Sequence, residues 1–278
     1  MTEDEDMGTQ VEPEPAAVAP DEDLPAGIAP EDAVEGARDA AFWAKRVTTL
    51  KRPDAPADAI NLNVEGKRLA SPIKGFGKMW QKTYQVPLSG ETVSPTDLIA
   101  PWKERFPEFW PKGNSFYGPL TGIAPGEVAL LNMTLPGRVK LSTGVLVLYA
   151  DEESFTLMTP QGHMFAGWIT FSAARRAGVT VAQTQVLMRA SDPMYEIGLT
   201  LGGHRQEDRF WEHTLSALAA AFGEEAEVDT QVVCIDNKRQ WRHARNIWHS
   251  AAIRSALYIA SAPVRLLKKA VRRSGTQA

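Results

Sequence analysis

Hydrophobic and polar positions along this chain fall into two periods. Between Gly126 and Gly223 a train of short segments alternates with a two-residue period and then gives way to a helical period. The strand-like runs are Glu127 to Thr134, Arg138 to Tyr149, Ser154 to Thr159, Met164 to Ser172 and Val179 to Arg189. Hairpin-length breaks of Gly, Pro, Asp or Glu separate them, so successive antiparallel pairing, a meander, is predicted. An earlier run, Met79 to Pro87, reads as a first strand. Between them, Ser94, Pro95 and Asp97 form a helix start, and Pro101 and Pro107 should split the helical stretch into two short pieces bearing Trp102, Phe106, Phe109 and Trp110. In Val139 to Tyr149, Leu146 and Leu148 make the second face apolar too, which leaves the inward face open.

The helical segment opens at Ser191, Asp192 and Pro193 and stops at Gly223. Its stripe reads Ile197, Leu201, His204, Asp208, Trp211, Leu215, Leu218, Phe222, so an ionisable pair interrupts a face that should be buried. A curved sheet around such a helix would enclose a cavity with a polar spot in its wall. Gly202 and Gly203 mark a kink, a close approach to the sheet, or the start of the regular helix; the sequence does not choose.

The ends of the chain differ from this middle. Of 278 residues, the first 37 carry a dozen acidic groups and no Lys or Arg, while 237–278 carry ten Lys or Arg and no acid, a polarity hidden by the net charge of -4. Residues 1–35, poor in aromatics, read as a disordered acidic tail. Residues 36–75 read as a linker, with a short helix at Ala40 to Leu50 and many breakers from Lys51 to Pro72. Residues 224–278 read as a basic, mainly helical extension with a short strand at Thr230 to Ile235 and a break at Pro263. The 44% hydrophobic content fits a folded core, and the single cysteine, Cys234, leaves no disulfide framework. The chain shows neither a signal-peptide pattern nor an apolar run of about 18 residues, so a cytoplasmic protein is expected.

The order of first strand, two short helices, antiparallel strands and long closing helix is that of the α+β helix-grip fold. Three phrases sharpen it: Thr159-Pro160-Gln161-Gly162-His163, VTVAQTQVLMRASDP and GGHRQEDRFWEHTLSALAAAFG. Together they resemble a bacterial branch of the START-like (SRPBCC) superfamily, which includes lipid-transfer proteins and polyketide cyclases and dehydratases. The likeness covers about residues 76–223. It implies a curved antiparallel sheet around the long helix and a hydrophobic small molecule or lipid bound between them; no catalytic motif transfers residue by residue.

Candidate chemistry is sparse. His204 and Asp208, four apart, could hydrogen-bond, with Asp208 raising the imidazole pKa for acid–base work on a polyketide-like substrate. The competing reading is a solvated pair on the surface. His163 in a loop, Trp168, Arg189 at the end of the last strand, and Trp211 complete the candidate ligand-binding set; Arg189 would hold an anionic group or else pair with Asp192 or Glu196. Tyr149, Phe155 and Phe171 are further candidates for the lining or plain core. No metal-ligand spacing and no phosphate loop occur, so neither metal nor cofactor is expected.

In the extension, Ile253, Leu257, Ala260, Val264, Leu267 and Val271 follow a helical seam, flanked by Arg254, Arg265, Lys268, Lys269, Arg272 and Arg273. That pattern suits an anionic membrane surface as partner, or a helix packed on the domain. Nucleic acid is the weakest alternative, since no binding motif accompanies Trp241 and Trp248.

Overall fold

The computed structural model describes residues 40–52, 62–88, 93–119, 121–135 and 139–262. The acidic tail, the middle of the expected linker, and Arg265, Lys268, Lys269, Arg272 and Arg273 of the expected membrane contact lie outside the described residues.

Among the described residues, eight antiparallel strands form one sheet: β1 (Met79–Leu88), β2 (Ser115–Tyr117), β3 (Val128–Leu135), β4 (Val139–Ala150), β5 (Ser154–Met158), β6 (Phe165–Arg176), β7 (Val179–Ala190) and β8 (Asp229–Asp236). Their order is β2-β3-β4-β5-β6-β7-β1-β8, so β3 to β7 form the expected meander and β1 closes beside β7. The short β2, which has too few residues to show a period, was not anticipated. Helices α1 (Pro95–Glu104), α2 (Pro193–Gly198), α3 (His204–Ala221) and α4 (Ala251–Ala260) complete the unit. The architecture is the helix-grip fold, extended by β8 on the far side of β1.

Local chemistry sets the boundaries. Ser94 Oγ accepts the Asp97 amide at 3.1 Å and so starts α1. The helix runs through Pro101, losing one backbone bond, and the Phe106–Phe109 3-10 turn comes next. Trp102 and Phe106 then meet Phe155 and Phe171 edge-on, Trp110 packs on Phe106, and with Phe109 they fill one end of the space over the sheet.

The inward face of β4 is settled by its packing. Val145 and Val147 join the main core, and Leu146 turns outward under Leu50 and Val64. A register shift between Val147 and Tyr149 carries Tyr149 to the outer side, against Phe42 and Trp43, so it does not line the interior. The stretch expected to be a linker therefore contributes packed residues on that outer side, and Ala40–Phe42 is a single 3-10 turn in place of a helix.

The expected single long helix is split. Gly202 has φ +123°, a conformation suited to glycine, and it sits in a wide turn from Leu199 to Gly203 that joins α2 to α3. The phase changes there, so Ile197 is 59% and Leu201 82% exposed, contrary to the continuous stripe. Tyr195 is buried before the turn, Leu199 at its start, and Leu215, Leu218 and Ala219 after it.

The C-terminal segment is tied to the same end of the sheet. Gly162 lets the chain pass against His249: a Cβ there would sit 2.0 Å from the His249 carbonyl oxygen. The Ala251 amide donates to Gly162 O at 2.8 Å, and the Ala252 amide to Tyr195 Oη at 2.9 Å. Between β8 and α4, Trp241–His249 forms 3-10 turns where a continuous helix was expected.

Candidate functional site

Between the inner sheet face and α3 lies a cavity of about 230 Å³, beside the aromatic cluster that fills the other end. The sheet supplies Leu131, Val145, Leu157, Ile169, Val186 and Met188, all at inward positions; α3 supplies Phe210 and Trp211; Tyr195, Leu199 and Gly203 close it from the α2 side. The wall is almost wholly apolar because period-two strands present only their hydrophobic set to this side.

His163 is buried in the loop before β6 and lines the cavity. Its Nδ1 lies 3.0 Å from the Phe165 amide and 3.2 Å from Phe165 O; because the amide can only donate, the tautomer that satisfies it has the ring hydrogen on Nε2. Burial lowers its pKa to about 4, so near neutral pH it is an uncharged donor. Trp211 also lines the cavity, packed on Phe171 and Phe210. Trp168 borders it too, but its pairing with Leu187, one step out of phase with inward Gly167 and Met188, turns its ring toward the outer face.

Arg189 is the clearest departure. It comes after Met188 on β7 and so points to the outer face, away from the cavity. There its guanidinium donates to Gly77 O at 2.6 Å and Lys238 O at 3.0 Å and pairs with Asp236 of β8 rather than with Asp192 or Glu196. Glu196 pairs instead with Arg239 at 2.9 Å.

His204 and Asp208 share a face of α3 but do not line the cavity, nor are they hydrogen-bonded to each other. Asp208 Oδ1 accepts from Lys82 Nζ at 2.7 Å and from Tyr84 Oη at 2.7 Å. Burial, helped by Lys82 and opposed by Asp208, drives the His204 pKa down to about 4, opposite to the expected rise. Its ring packs against Trp80 with centroids 4.9 Å apart, and its Nδ1 has no hydrogen-bond partner among the described residues.

Sequence reasoning missed Lys82 and Glu207. Trp80, Lys82, Tyr84, Val86 and Leu88 alternate on the inner face of β1, so a lysine on an otherwise apolar strand face was the available signal. Lys82 is fully buried, and its Nζ lies 2.9 Å from Glu207 Oε2 and 2.7 Å from Asp208. Glu207 is in the cavity wall; neither of its oxygens has a hydrogen bond of good geometry. One cation faces two carboxyls, and Asp208 has the better hydrogen bonds and more solvent, so the surplus proton belongs on Glu207. Burial accordingly raises the Glu207 pKa to about 7, against the pull of Lys82. Burial and the neighbouring carboxyls push the Tyr84 hydroxyl far up, which keeps it a donor to Asp208. The polar spot is thus real, but it is built from β1 and α3 together and reaches the cavity through Glu207.

A curved antiparallel sheet packed against α3 around an apolar cavity is the helix-grip fold that the order of elements predicted. No family model matches the sequence, and no curated protein does. Among solved structures the chain is similar to a START superfamily protein from Mycobacterium smegmatis, at 24% identity over 52% of this chain and 97% of that one, with a TM-score of 0.34. It is similar to the major latex-like protein 151 of Panax ginseng, at 13% identity over 52% and 98%, TM-score 0.36. A third is the di-domain aromatase/cyclase StfQ of the steffimycin biosynthetic pathway, at 10% identity over 51% of this chain and 50% of that one, TM-score 0.40. What this protein does has to be read from its own cavity.

Proposed function

We propose that the protein binds a small hydrophobic molecule between the sheet and α3. The observation that carries this is the cavity of about 230 Å³, left open in an otherwise tightly packed interior and lined almost wholly by apolar side chains. Acid–base work by His204 and Asp208 is not supported, because neither group borders the cavity. The test is native mass spectrometry of protein purified from its own host, beside an Ile169→Trp variant whose indole fills the cavity from β6. A bound small molecule on the wild type that is lost from a folded Ile169→Trp protein is the expected outcome; identical unliganded spectra, together with no uptake of added naphthalene, would overturn it.

A second proposal concerns the extension. Ile253, Leu257, Tyr258 and Ile259 of α4 are exposed, Leu257 by 65%, while the buried residues Ala251, Ala252 and Ser255 hold the helix to the protein. With a run of five further Lys and Arg beyond residue 263, this apolar face suits docking on an anionic membrane. Arg254 is partly engaged already, its Nε donating to Asn63 Oδ1 at 3.0 Å. Co-sedimentation with phosphatidylglycerol vesicles should fall at least several-fold in Leu257→Asp/Ile259→Asp, and equal partitioning of the two proteins would dispose of the idea. Among the described residues no helix is long and apolar enough to cross a membrane.

A further inference from the structure

We infer that the ligand is an uncharged molecule the size of one fused ring pair, carrying an oxygen that accepts a hydrogen bond from His163, and is neither a two-chain lipid nor an anion. The inference rests on the cavity reading and adds to it a substrate class, from three independent observations.

Size comes first. An apolar protein cavity of about 150 Å³ is known to hold benzene, and in proportion about 230 Å³ holds roughly nine or ten non-hydrogen atoms. Two acyl chains exceed that several-fold. Aromatic side chains already occupy the rest of the interior on the Trp102 and Phe106 side, which denies a longer ligand the room to extend there.

Charge comes second. No Lys or Arg is among the described residues lining the cavity. Lys82 is spoken for by Glu207 and Asp208, and Arg189 is on the outer face with Asp236. A carboxylate or phosphate held inside the cavity would therefore lose water with no cation to meet it.

The third is the polarity of one point. His163 Nδ1 lies 3.0 Å from the Phe165 amide nitrogen and 3.2 Å from Phe165 O; the amide can only donate, so the tautomer that satisfies it carries the ring hydrogen on Nε2, and no described residue hydrogen-bonds that nitrogen. The ring is buried and lines the cavity. A buried donor left unpaired discriminates strongly against a ligand that lacks an acceptor. A ketone, phenol or alcohol oxygen satisfies it without bringing in a charge.

Calorimetric titration of the full chain near neutral pH with 2-naphthol, 2-methylnaphthalene and 2-naphthoate tests the inference. The first two have the same number of non-hydrogen atoms and differ by the oxygen. The wild type should bind 2-naphthol about tenfold or more tightly than 2-methylnaphthalene, and 2-naphthoate, which is both charged and larger, should be the weakest. In His163→Asn the side-chain oxygen can still take the Phe165 amide but no donor reaches the cavity, so the preference for 2-naphthol over 2-methylnaphthalene should disappear, with a cooperative thermal unfolding transition reporting that the variant is folded. Equal wild-type affinity for the two neutral probes, or tightest binding of 2-naphthoate, overturns the ligand class and leaves the cavity reading standing. Failure of all three to bind overturns the ligand class as well; a molecule retained in the native mass spectrum then separates a wrong class from a cavity that binds nothing.

Discussion

Glu207 is the residue whose chemistry depends most on its setting. On a solvated helix it would be an ordinary carboxylate; in the cavity wall, with Lys82 shared with Asp208, its pKa rises from 4.5 to about 7. The folded state therefore holds this proton more tightly than the unfolded chain. The stability the group contributes is complete below about pH 4.5 and is lost as pH rises through about 7. Glu207→Gln removes that dependence, so the variant should gain on the wild type by about 2–3 kcal/mol between pH 5 and 8. Urea unfolding across that range measures it, and parallel curves for the two proteins would show that Glu207 is ionised throughout. His163 works in the other direction: its pKa is lowered from 6.5 to about 4, so its contribution is present above pH 6.5 and fades as pH falls through about 4.

At the level of the elements, the break between α2 and α3 decides which residues reach the cavity. The backbone at Gly202 is at φ +123°, where an added Cβ strains the chain although no neighbour stands in its way. Gly198, at φ -57°, is helical and has open space around it. Gly202→Ala should thus cost about 1–2 kcal/mol, whereas Gly198→Ala should stabilise by up to about 1 kcal/mol. Thermal unfolding of the two variants compares them directly, and a continuous helix through residue 202 would make both substitutions stabilising. The same break explains why Ile197 and Leu201, in phase with Trp211 on an ideal helix, end in solvent.

Across the molecule, the chain beyond the long helix is part of the fold. β8 pairs with β1 along Gln85 to Met79, Arg189 ties it to β7, and α4 reaches back to Tyr195, Ser142 and Asn63. Tyr195 also lines the cavity, so the segment that carries the exposed apolar face of α4 is bonded to a wall residue of the binding site. Removing it would unsettle both, which is why membrane docking is better tested by exposed substitutions on α4 than by truncation.

The period-two strands, their meander order, the caps at Ser94 and Asp192, and a helix-grip arrangement with an apolar interior were all legible in the sequence. Those features are local: side-chain alternation, capping and hairpin-length breaks are read over a few residues. The sequence also singled out His163 and Trp211, which the fold places in the cavity wall. The rest depended on tertiary packing. The bulge at Val147/Tyr149 and the glycine break at Gly202 each shift a phase, and after a phase shift every later position faces elsewhere. Arg189 left the cavity by strand parity, and His204 with Asp208 lost its expected pairing because Lys82, 126 residues from Asp208 in sequence, lies closer to the carboxylate than the imidazole on its own helix. Charges buried in a core choose partners by distance in space, and that distance exists only once β1 and α3 have packed.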